Sequence, residues 1–151
     1  MNSYAEKRVS FTFYDDDLKA LRRLNLALRG KGAEVQRLDS LRLLIFAATE
    51  AELFSHAALR MSEVGKGRRA DHRVAERLSV TLPADFITKL SKVADDLARK
   101  DLDVERTYIV RALLHATHDL AKFVKAWPKM GKRYPDKRAL RGQRGDKASK
   151  A

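Results

Sequence analysis

Two hexamers hold the side chains best suited to directed hydrogen bonding: Arg8-Val9-Ser10-Phe11-Thr12-Phe13 and Arg77-Leu78-Ser79-Val80-Thr81-Leu82, sixty-nine residues apart. Their polar positions match one for one, Arg8 with Arg77, Ser10 with Ser79 and Thr12 with Thr81, and the positions between are apolar in both. Arginine offers a rigid fork of donors, and each hydroxyl both donates and accepts. Such a triad recognises a polar surface. It does not break bonds, because no nucleophile stands beside a base.

Other chemistry-bearing residues are weaker candidates. His115 and His118 lie near one helical turn apart beside Asp119, but with no cysteine in the chain and no further converging ligand they read as ordinary helix residues, not a metal site. Asp15, Asp16 and Asp17, like Asp95 and Asp96, read as first-turn or helix-surface carboxylates and not as an acid/base pair. Trp127, Phe123 and Phe54 read as packing residues. No phosphate loop, nucleophile-base constellation or metal cluster is legible, so the expectation is a non-enzyme without cofactor.

The elements that position the triads follow from periodicity. Side chains alternate across a strand, so each hexamer, 8–13 and 77–82, is a strand with one apolar face and one face of Arg, Ser and Thr. After the first strand, the acids Asp15 to Asp17 mark a helix start, and Leu18, Leu21, Leu24 and Leu28 form a stripe that Gly30 and Gly32 end. A second helix begins near Val35 to Leu38, carries Leu41, Leu44, Ile45 and Ala48, and is drawn as continuing through Leu53, Phe54, Ala58 and Met61. After the second strand, Pro83 and Asp85 open a helix with Ile87, Leu90, Val93 and Leu97. The next carries Ile109, Ala112, Leu113 and Ala116, and its apolar pattern runs on to Trp127, where Pro128 argues against further helix.

A formal net charge of +12 over 151 residues favours a polyanionic partner. No apolar run of about 18 residues spans a membrane, and Met1 to Lys7 lacks the apolar core of a signal peptide. A cytoplasmic, bacterial, nucleoid- or plasmid-associated protein is the expectation. From Pro128 onward nine Lys or Arg stand against Asp136 and Asp146, a basic tail with too little apolar content to fold. The organisation expected is an arm at 1–7, a first unit at 8–62, a basic linker at 63–76, a second unit at 77–127 and a disordered tail at 128–151.

Laying residues 8–48 on 77–117 needs no gap and gives twelve identities in 41 positions, among them Asp16/Asp85, Leu21/Leu90, Leu28/Leu97, Val35/Val104, Arg37/Arg106 and Arg42/Arg111. Unrelated stretches would share roughly two or three. The repeat predicts two strand-helix-helix units whose strands pair antiparallel. Centring the pair on Ser10 and Ser79 sets Arg8 opposite Thr81 and Thr12 opposite Arg77.

With Pro83-Ala84-Asp85-Phe86 after an alternating strand, and Val104-Glu105-Arg106-Thr107-Tyr108-Ile109-Val110-Arg111 opening the next helix, the chain resembles the ribbon-helix-helix superfamily of Arc/MetJ-type DNA-binding proteins. Its two copies in one chain are similar to the VirC-type accessory proteins of T-DNA processing. The resemblance implies an α+β, mostly helical fold: two ribbon-helix-helix units forming a pseudo-two-fold dimer, with a two-stranded antiparallel ribbon over four helices. It also implies a monomeric pseudo-dimer that inserts the ribbon in the major groove of double-stranded DNA, with side-by-side assembly on the DNA as an option.

In that setting Arg8, Ser10, Thr12, Arg77, Ser79 and Thr81 contact bases. Gln36 and Arg37 on one side, and Glu105, Arg106 and Thr107 on the other, open helices whose free amides hold phosphates. Lys66, Arg68, Arg69, Lys132, Arg133, Lys137 and Arg138 add general phosphate attraction. The biological roles this implies are transcriptional regulation or, with relaxosome proteins as partners, conjugative DNA processing. The competing readings are an antitoxin-like protein-interaction module and a nonspecific architectural nucleic-acid binder.

Overall fold

The computed structural model describes residues 5–64, 74–116 and 118–135. Strand β1 (Glu6–Tyr14) leads into helices α1 (Asp15–Gly30), α2 (Arg37–Ala47) and α3 (Glu50–Val64). Strand β2 (Val74–Pro83) is followed by α4 (Ala84–Ala98), α5 (Arg106–Leu114) and α6 (Leu120–Arg133). The strands make one antiparallel sheet in which Ser10 lies opposite Ser79, Arg8 opposite Thr81 and Thr12 opposite Arg77. That register is the one the alternation calls for. A slip of one residue would turn Phe11, Phe13, Leu78, Val80 and Leu82 out of the core, and all five are buried. Burying each such side chain stabilises the fold by about 1.5–3 kcal/mol.

The ribbon outgrows the hexamers. Pairing runs from Glu6 opposite Pro83 to Tyr14 opposite Val74, with an irregularity between Phe13 and Tyr14. Residues 74–76, expected in the linker, are therefore strand. Tyr14 then turns the chain into α1, its amide donating to Asp17 Oδ2 at 2.9 Å. At the far end Gly32 takes a left-handed φ of 93°, and the Ala33 amide donates back to the Leu28 carbonyl at 3.1 Å, which closes α1.

The architecture expected from the resemblance is corrected. Among the described residues the chain forms a single fold of six helices and one two-stranded sheet, not two ribbon-helix-helix units over four helices, and no tandem duplication of such a unit is evident there. The pseudo-dimer and the likeness to VirC-type tandem proteins fall with it. The physical reason is that a third helix follows each helix pair, and these added helices pack crosswise into one core. α3 lies against α4 and α5, while α6 lies against α1 and α2. The core they enclose is continuous from Phe11 to Met130.

Two local signals account for the extra helices. Ala48 is extended, and Thr49 opens α3 with a capping box: its hydroxyl accepts from the Glu52 amide at 3.1 Å, and Glu52 Oε1 accepts from the Thr49 amide at 3.1 Å. The expected long helix is thereby cut in two. Asp119 caps α6 by accepting from the amides of Ala121 and Lys122. Pro128 does not stop α6, which runs on to Arg133, so residues 128–133 are helix and not tail. A proline inside a helix costs about 3 kcal/mol, and buried Met130 and the Tyr134 ring, packed on Phe86 and Phe46, offset it. Among the described residues, no helix is long and apolar enough to cross a membrane.

Candidate nucleic-acid interface

The inner face of the ribbon is spent on the core, so the outer face is what it offers. Arg8, Ser10, Arg77 and Ser79 are exposed there, and Thr12 and Thr81 are half-exposed. All six residues expected to contact bases thus share one surface. Arg8 Nε donates to Ser79 Oγ across the strands at 3.0 Å, which fixes the guanidinium and leaves its two terminal nitrogens free to point outward. Arg77 and Ser10 make no such bond among the described residues.

The ribbon is held in place from below. Arg42, on α2, donates from Nε to the Thr81 carbonyl at 2.9 Å and pairs with Asp39 at 3.1 Å. Asp39 in turn accepts from the Gln36 amide at 3.1 Å and closes the first turn of α2. Backbone, arginine and helix start form one connected unit.

The residues expected to hold phosphates flank this surface unequally. Glu105 caps α5 without a side-chain hydrogen bond; the Tyr108 amide donates to the Glu105 carbonyl at 3.0 Å, and the amides of Arg106 and Thr107 have no partner within the helix. Glu105, Arg106 and Thr107 line one cleft with Arg8 and Ser10. On the other flank, Arg37 is engaged with Glu76 at 3.4 Å, and Gln36 lines a separate hollow with Arg29 and Glu34 that no ribbon residue reaches. Of the auxiliary basic residues, Lys132 and Arg133 are exposed at the end of α6. Lys66, Arg68, Arg69, Lys137 and Arg138 lie outside the described residues.

The residues that sequence reasoning missed lie behind the ribbon. Asp17, expected on a helix surface, is fully buried. Its carboxylate accepts from Arg111 Nε at 2.7 Å and from the Tyr14 amide, and meets His115 Nε2 at 2.7 Å. Burial alone would raise this carboxyl's pKa, but the His115 and Tyr14 hydrogen bonds and the Arg111 charge outweigh it and hold it below the ordinary range. Arg111 also lies over the Tyr14 ring at 4.7 Å.

Asp16, Asp17 and His115 bring three ligand atoms within 4.8 Å of one another. The Arg111 cation already balances Asp17, so the group is a clasp between α1 and α5. His118 stands apart from it, its ring against Phe123 at 5.3 Å, and burial lowers its pKa. Phe123 is buried, and Phe54 and Trp127 pack against the core, as expected.

No protein-family model, curated protein or solved structure matches the chain.

Proposed function

We propose that the protein is a sequence-specific double-stranded DNA-binding protein that lays its ribbon in the major groove. The observation that carries this reading is the outer face of the ribbon: two arginines and four hydroxyl residues on one exposed surface, with every apolar side chain of the hexamers turned inward. A two-stranded ribbon fits the major groove, where each base pair shows a distinct set of donors and acceptors. Arg8 and Arg77 suit guanine, and the hydroxyls suit several bases. Arg106 and Thr107 line the cleft beside the ribbon, which supports a phosphate contact there, and the net charge of +12 supplies long-range attraction.

On this reading the protein works at cytoplasmic DNA, on the nucleoid or a plasmid, as a regulator of transcription or an accessory to DNA processing. Selection of bound duplexes from a random pool tests it. A recovered motif of several base pairs is the expected outcome, and equal recovery of unrelated duplexes makes the protein a nonspecific architectural binder. Footprinting upstream of its own gene and at any neighbouring transfer origin separates the two biological roles.

A further inference from the structure

The two ends of the ribbon differ in how the arginine that opens the neighbouring helix is paired. At one end Glu76, opposite Phe13 and next to Arg77, pairs with Arg37, the first residue of α2, at 3.4 Å. Both side chains are well exposed, at 49% and 40%. At the other end Glu6 lies opposite Pro83 and Lys7 opposite Leu82, and Arg106, the first residue of α5, makes no ion pair among the described residues. Glu105 lines the cleft beside Arg106 but does not engage it.

Each arginine stands where a helix begins, and there the free amides and the helix dipole already favour an anion. Only Arg106 has its charge available. Arg37 spends its charge on a carboxylate that itself repels phosphate.

We propose that Glu76 sets how tightly and how unequally the ribbon grips a duplex, by holding Arg37 off the phosphate backbone at one end while Arg106 binds it at the other. This rests on the DNA-binding reading above. An exposed ion pair is weak and exchanges readily, so Glu76 tunes the contact and does not abolish it. The duplex is then held firmly on the α5 flank and loosely on the α2 flank, which gives the protein a polarity on its site.

The test is duplex binding by fluorescence anisotropy across a salt series, for the full-length wild type, Glu76→Gln, Arg37→Ala and the double variant. Glu76→Gln frees one cation, so the plot of log affinity against log salt steepens by about 0.9. Over a fourfold drop in salt the affinity of Glu76→Gln therefore rises roughly threefold more than that of the wild type. In the Arg37→Ala background the same substitution gives no such gain. An equal gain in both backgrounds shows that Glu76 acts as a bare charge and overturns the proposal, as does an unchanged slope in Glu76→Gln. Failure of the wild type to bind any duplex removes the DNA-binding reading itself, and the proposal with it. Far-UV circular dichroism confirms that these exposed substitutions leave the fold intact.

Discussion

Arg111 and Asp17, 94 residues apart in the chain, meet at 2.7 Å with the carboxylate fully buried. Removing one partner of a buried pair strands the other without water. Asp17→Ala is therefore expected to destabilise the protein by about 3 kcal/mol, read by urea denaturation. The folded-state pKa of Asp17 lies below its ordinary value of 3.8. Its contribution is thus complete above that value and is lost as pH falls through the folded one. Asp17→Asn removes this part of the acid limb, so stability measured between neutral and acid pH declines less steeply than in the wild type.

Arg8 and Arg77 share the reading face but are not equally restrained. Arg8→Ala and Arg77→Ala should each lower base discrimination by about 1–3 kcal/mol, with thermal stability unchanged. Ser79→Ala frees Arg8 Nε from its 3.0 Å hydrogen bond and is expected to relax specificity by less than Arg8→Ala. Competition between cognate and single-mismatch duplexes measures all three. Unaltered discrimination in both arginine variants would sink the assignment of the ribbon as the reader.

Arg106 is expected to hold phosphate and not bases. Arg106→Ala should weaken binding to all duplexes alike and reduce the salt slope by about 0.9. A change confined to one base position would instead place Arg106 in the groove.

Lys89 ties α4 to the end of α2, its Nζ donating to the Ile45 carbonyl at 2.8 Å and to the Phe46 carbonyl at 3.3 Å. Burial lowers its pKa, and the nearby carboxylates of Glu50 and Glu52 only partly oppose this. Lys89→Met keeps the length and removes both donors, and a loss of about 1–2 kcal/mol is expected in chemical denaturation. Because Lys89 touches no ribbon residue, DNA affinity per folded molecule should stay the same.

Two more features were open to a reading of local sequence. Thr49 and Glu52 carry the spacing of a capping box, and Asp119 precedes an apolar run as a helix cap does. Weighed instead by apolar periodicity alone, 35–61 reads as one helix, and Asp119 reads as a neighbour of His118. Asp17 was different. Three adjacent aspartates look alike in sequence, and only the one whose side chain turns beneath the ribbon is buried, against Arg111 and His115.

By itself the sequence determined the two strands, the faces they turn in and out, their antiparallel register and the cationic balance of the chain. Each follows from an alternation of two, or from a count, and an alternation survives without knowledge of what packs behind it. Tertiary structure decided how many helices enclose the core, that the halves interlock, and which charges are satisfied. Arg42 on the Thr81 carbonyl, Arg37 on Glu76 and Arg111 on Asp17 span 39, 39 and 94 residues of chain. No local period encodes such pairings, because they exist only once burial has brought the helices beneath the ribbon and their partners within reach.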